Sequence, residues 1–193
     1  MVHLSQWITD RLLENVDTKY NKEVYYYVVF KGLSTALFWA VLLLGVLLTK
    51  NYYYAIYSVV LTSFRKYTGG FHLNNANICL ITSVALVFTA VSITGWGVAQ
   101  FDISLHLIIF LILITLLGIT KLAPVNHPNM ALSEAEAKRL KEKVKSLSLY
   151  TAGISAVMYI LNLNCIIYVF AAVLTDFVLI ILAKIAHQDM ELS

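Results

Sequence analysis

Residues 32–49, GLSTALFWAVLLLGVLLT, form an uncharged apolar run long enough to cross a bilayer once. Residues 78–94, 103–120 and 165–184 repeat the pattern, and two shorter apolar stretches, one ending at Phe64 and one covering 149–161, lie between them. A single segment of this kind satisfies its backbone N–H and C=O groups in lipid by becoming a helix. The expected fold is therefore an all-α polytopic membrane protein with about six transmembrane helices. The second and fifth fall short of the ~20 residues of a perpendicular span and rely on their flanks or neighbours. Composition agrees, with 60% hydrophobic and 13% charged residues, where a soluble domain would be about half apolar and about a quarter charged.

Charge placement orients the helices. Of the 14 Lys and Arg, Lys50 alone falls outside when six crossings are threaded from a cytoplasmic N-terminus, as the positive-inside rule requires. A four-crossing thread without the short pair would place Arg65, Lys66 and the basic loop outside. Both termini are thus expected in the cytoplasm, and residues 1–193 read as one membrane domain. Residues 1–22 do not read as a cleavable signal. They read as an amphipathic helix, with Leu4, Ile8, Leu12 and Val16 recurring every four residues beside Trp7 and Leu13. Such a helix can lie in the membrane interface with Trp7 at headgroup depth, or pack on the protein's own loops.

Residues 121–148 form the one long loop. Pro124 and Pro128, the two prolines of the chain, hold its first part extended. Ser133-Glu-Ala-Glu136 then reads as a capping box that opens a helix, and this basic helix is expected to run on into the fifth crossing. Glu134 with Lys138 makes a favourable i,i+4 pair.

The chemistry concentrates in residues 65–79, RKYTGGFHLNNANIC, and the segment 65–78 reads as a catalytic loop ahead of Cys79. On this topology His72 and Cys79 are cytoplasmic, between the second and third crossings. A thiol becomes a nucleophile as thiolate, and His72 is the neutral-pH base of the loop. On one continuous helix, residues seven apart would lie ~10.5 Å apart along the axis, so a dyad requires the chain to bend. Gly69-Gly70 permits the bend, and Asn74, Asn75 and Asn77 favour turns and helix caps. An asparagine capping the third crossing would place Cys79 in its first turns, where unpaired amides and the helix dipole favour an anion. Those amides or an asparagine side chain are candidate oxyanion donors. Arg65 is a candidate for binding a carboxylate or fixing the loop.

At this motif the sequence resembles the accessory gene regulator B (AgrB) family of Gram-positive bacteria, membrane cysteine endopeptidases that process quorum-sensing propeptides. Arg65, Gly70, His72 and Cys79 match the family pattern, as do Ala123-Pro124 and Pro128 ahead of KRLKEKVK. The resemblance implies that Cys79 attacks a peptide bond with His72 as general base and then acid. The C-terminal tail of the propeptide leaves, and a thiol or hydroxyl of the thioester-bound peptide closes a thiolactone or lactone. It also implies an amphipathic propeptide substrate, a homodimer, contact with membrane lipids, and a cell-membrane location with the site on the cytoplasmic side. No cofactor, metal or nucleic acid is expected. Asn75 or Asn77 is a candidate to orient the imidazole. Lys138, Arg139 and Lys141 are candidates for meeting the acidic C-terminal region of such a propeptide, or simply enforce topology.

Asp176 stands near the middle of the last apolar run, as a structural contact, part of a cavity, or a dimer contact. Two other functions remain open to the residues alone. A small transporter or peptide exporter would use His72 and Asp176 as a polar pathway, and a scaffold would use the glycine pair only to position helices.

Overall fold

The structure, a computed structural model, describes residues 2–13, 22–71, 73, 75–126 and 132–189. Seven helices occur in it: α1 (Val2–Leu13), α2 (Lys22–Thr49), α3 (Tyr53–Thr68), α4 (Ala76–Gln100), α5 (Leu105–Leu122), α6 (Glu134–Ile160) and α7 (Ile166–Ile185). No strand occurs among the described residues. The fold is all-helical, and α2, α4, α5 and α7 are long and apolar enough to cross a membrane.

The two short segments are helical too, but fall below that standard for different reasons. Helix α3 has 16 residues, about 24 Å at 1.5 Å per residue, against a hydrocarbon core of ~30 Å. Helix α6 has 27 residues but gives its first half to EAEAKRLKEKVK. The expected capping box is present, with Ser133 as N-cap and Glu136 reaching back to its backbone, and the basic helix runs unbroken into the apolar half. Helix α2 begins ten residues before the apolar run, because KEVYYYVVFK contains no Pro or Gly to stop it and Glu23 suits the first turn.

The chain divides into two compact units, Met1–Asn51 with Asn74–Ala85, and Tyr52–Leu73 with Leu86–Ser193. In the first, α1 packs on α2, and Lys22 Nζ lies 2.7 Å from Asp10 Oδ1. The buried residues of α1 are Ser5 and Thr9, whereas Trp7 and Leu12 are exposed. The small polar positions therefore meet the protein, Ile8 and Leu13 are half-buried, and Trp7 and Leu12 point away. Residues 14–21, including Val16 of that stripe, lie outside the described residues.

In the second unit α7 is the hub, packing against α3, α5 and α6. Ile166, Val173, Ile180 and Ala183 are fully buried there. The core adds Phe64 from α3, Ile112 and Ile119 from α5 and Val144 from α6. Helix α5 is apolar all round, yet it buries one face (Ile108, Ile112, Thr115, Leu116, Ile119) and leaves Phe110, Leu113 and Leu117 exposed. In water an exposed apolar face of that size is a liability; against lipid tails it is the expected partner surface. Across α3 and α7, the Tyr53 and Tyr168 rings stack at 4.1 Å, and Tyr57 donates its hydroxyl to Thr175 Oγ1 at 2.8 Å.

Candidate functional site

The first unit carries Cys79. Helix α4 begins at Ala76, and Asn75 caps it: its Oδ1 accepts from the backbone N–H of Asn77 at 3.0 Å and of Ile78 at 3.3 Å. Its carbonyl accepts the Cys79 N–H at 2.9 Å. This is the asparagine N-cap expected for the NNAN stretch. It sets Cys79 just past the first turn of α4 as a free, half-buried thiol. The same bonds correct one expectation: the amides of Asn77, Ile78 and Cys79 are all engaged, so they are not waiting for an oxyanion. The exposed side-chain amides of Asn75 and Asn77 carry further N–H donors in this segment. Ser83 Oγ back-bonds to the Cys79 carbonyl at 2.7 Å, fixing the next turn.

The second unit carries Arg65 and the glycine pair. Helix α3 ends at Thr68, and its C-cap Gly69 sits at φ 71 with its N–H on the Arg65 carbonyl. Gly70 follows at φ 101. Both conformations are ones L side chains rarely adopt. Gly70 is also buried, and a Cβ there would run into Nη1 of Arg65. Arg65 Nη2 donates to the Phe71 carbonyl at 3.0 Å, and the Phe71 N–H donates to the Leu179 carbonyl on α7 at 3.0 Å. Arg65 thus fixes the turn on which the chain leaves α3. His72 and Asn74 lie outside the described residues.

The proline loop meets the same turn. Ala123 is extended and ends α5, the Ala123–Pro124 peptide is cis, and the Val125 N–H donates to the Thr68 carbonyl at 2.9 Å. Asn126 then accepts the Leu132 N–H at 2.8 Å and donates its own N–H to Asp189 Oδ1 at 2.7 Å. Asp189 also pairs with Lys184. Pro128 and His127 lie outside the described residues. An open groove of about 600 Å³ runs along this loop, lined among others by Lys121, Pro124, Asn126, Lys138, Lys141 and Asp189. Of the three basic candidates on α6, Lys138 and Lys141, three apart and so on one face, line the groove; Arg139 does not. Lys143 instead lies over the Tyr67 ring of α3 at 5.3 Å.

Asp176 is fully buried in α7 and accepts the Thr68 hydroxyl at 3.1 Å. Thr68, Asn126 and Asp189 were not legible as parts of this arrangement. Thr68 carries only its adjacency to Gly69-Gly70 as a signal, and Asp189 carries none.

Compared with known proteins, the family model described as accessory gene regulator B matches residues 4–185. No curated protein and no solved structure matches the chain.

Proposed function

The chain belongs to the accessory gene regulator B family, and on that premise we propose that it is a membrane cysteine endopeptidase acting on an amphipathic propeptide. Family membership places it in accessory gene regulator peptide processing, and the long apolar helices make it a membrane protein. The observation that carries the finer reading is Cys79 as a free thiol just inside a helix whose N-terminus is capped by the preceding Asn75.

In this reading His72 takes the Cys79 thiol proton as the sulfur attacks the scissile carbonyl. Collapse of the tetrahedral adduct breaks the peptide bond; the new amine of the C-terminal tail receives that proton, and the rest of the peptide stays on Cys79 as a thioester. A thiol or hydroxyl within the bound peptide then attacks the thioester, closing a ring and returning the proton to sulfur. A site partly shielded from water favours that closure over hydrolysis. Asn75, through its Nδ2 group, and Asn77 are the side chains this reading offers as oxyanion donors or to orient the imidazole. Arg65 and Gly70 shape the turn that precedes His72 in the chain. Lys138 and Lys141 receive the acidic tail in the groove, with Arg139 adding to the field around it.

The topology that goes with this reading has six crossings, with α3 and the apolar half of α6 as the short pair and both termini in the cytoplasm. What supports it is the charge distribution, Lys50 being the single basic residue left outside. The exposed Trp7 and Leu12 of α1 suit a helix lying in the lipid interface. The working unit is a homodimer in the cell membrane of a Gram-positive bacterium.

Intact-mass spectrometry of the purified protein with a candidate propeptide tests the reading. The expected product is a hydroxylamine-sensitive adduct of protein plus truncated peptide, absent in Cys79→Ala and slowed in His72→Ala. Cleavage by both variants at the parent rate would end it.

A further inference from the structure

We infer that Asp176 is a positioning residue for this peptidase, holding Thr68, and with it the Gly69–Gly70 turn, against α7. The inference rests on the Cys79–His72 reading and adds to it a residue outside the motif.

Two pairs of residues, each three apart and so on one helix face, meet here: Arg65 and Thr68 on α3, Asp176 and Leu179 on α7. The Thr68 hydroxyl donates to Asp176 Oδ1 at 3.1 Å. One turn further along α7, the Leu179 carbonyl accepts the Phe71 N–H at 3.0 Å. The Arg65 guanidinium braces the same turn. Its Nη2 holds the Phe71 carbonyl, and its Nη1 lies against Gly70. Phe71 is therefore held at both its N–H and its carbonyl, one by α7 and one by Arg65. The next residue is His72.

Asp176 is 0% exposed in a helix of apolar residues. A carboxylate is kept at such a depth only where something compensates it. The compensation here is the Thr68 hydroxyl on Oδ1. Thr68 is the last residue of α3, directly before Gly69. Without the carboxylate, the end of α3 loses this tie to α7, and the turn that follows is held there by the Phe71–Leu179 bond with less support. Asp176 acts through Thr68 and touches no reacting atom.

Alkylation of Cys79 by iodoacetamide reports the dyad without any propeptide. In full-length Cys165→Ala protein, Cys79 is the single thiol, since the chain has two cysteines. Its alkylation rate at neutral pH is read by intact mass in detergent, beside the thermal unfolding midpoint. His72→Ala is expected to slow the reaction about tenfold or more, as loss of a positioned base does. Asp176→Asn is expected to slow it about tenfold through misplacement of the turn, and Asp176→Glu to recover part of the rate. Thr68→Val keeps the shape of Thr68 and decides the matter should Asp176→Asn not fold. It is expected to slow alkylation severalfold, roughly the effect of one lost orienting bond, with more slowing than any drop in midpoint explains. If His72→Ala is slow while Thr68→Val and folded Asp176→Asn react at the parent rate, Asp176 does not position the site. If His72→Ala itself reacts at the parent rate, the dyad reading falls and this inference with it.

Discussion

The backbone N–H of Val125 is hydrogen-bonded to the carbonyl oxygen of Thr68 at 2.9 Å. This one bond joins the residue after the Ala123-Pro124 element to the last residue of α3, immediately before the glycine pair. The two stretches that carry the resemblance to the accessory gene regulator B family within this unit are therefore neighbours in space. The fit is close on both sides: a Cβ at Gly69 would meet the Val125 carbonyl oxygen at 3.1 Å.

Gly70→Ala should damage both fold and function. At φ 101 the residue lies where L side chains are strained, and the added methyl would displace the Arg65 guanidinium. The strain alone costs about 1–3 kcal/mol. The expected result is a lower unfolding midpoint in detergent together with loss of the thioester adduct. Gly32→Ala is the control: nothing lies within 4 Å of a Cβ there and no positive φ is required, so it should behave as the parent.

Tyr57→Phe tests the α3–α7 contact away from the turn. The hydroxyl is buried with the side chain at 0% exposure, and donates to Thr175 Oγ1 at 2.8 Å. Thr175 keeps a second bond, to the Ala171 carbonyl, so the substitution leaves no stranded donor. The expected loss is about 1 kcal/mol, measured by thermal or denaturant unfolding, with Cys79 alkylation unchanged in the folded protein.

The elements that could be read from sequence are those whose signal is local. Apolar runs marked α2, α4, α5 and α7, Ser133 and Glu136 marked the start of α6, and the asparagines marked the cap of α4 ahead of Cys79. The start of α2 was missed because hydropathy sees lipid-facing residues, whereas a helix runs on through Tyr25, Tyr26 and Tyr27 until something breaks it. For α1 the apolar stripe left two placements open, the lipid interface or the protein's own loops, and carried no signal that Ser5 and Thr9 are the buried positions while Trp7 is exposed. Asp176 stood out as a cost without a partner. Thr68, the residue that hydrogen-bonds it, is 108 positions away, and no periodicity reports a pairing at that distance. Asp189 on the Asn126 N–H is the same case, at 63 positions.

The capping box of α6 should respond to pH in a defined sense. Bonds from the Ser133 hydroxyl, and then from its backbone N–H, hold the Glu136 carboxyl below its ordinary value of 4.5. A depressed folded value means the contribution is fully present above the unfolded value and is lost as pH falls through the folded one. Between neutral pH and about 5 the first turn should stay protected, because Glu136 is ionised throughout that range. Below 4.5, amide protection in the first turn of α6, measured relative to the intrinsic exchange rate at each pH, should fall as the carboxylate is protonated. Ser133→Ala should accelerate exchange there at neutral pH by about fivefold, the effect of losing one N-cap. Exchange that is indifferent to both changes would mean the box contributes nothing.

The groove makes a separate prediction about substrate binding. Lys138 and Lys141 line it from one face of α6 and Lys121 lines it from the end of α5, while Arg139 does not line it. Two ammonium groups on a water-accessible wall act as exposed charges, each contributing modestly and screened by salt. Lys138→Ala and Lys141→Ala should therefore raise KM for a peptide with an acidic C-terminal tail by about threefold each, in line with exposed ion pairs, with little change in kcat. Arg139→Ala should have a smaller effect. The loss should shrink at high ionic strength, and a peptide whose tail carboxylates are replaced by amides should bind parent and variants alike. Single-turnover measurements of adduct formation against peptide concentration separate the two constants. An equal loss with the neutral-tailed peptide would show instead that the lysines support the Pro124 loop rather than receive the tail.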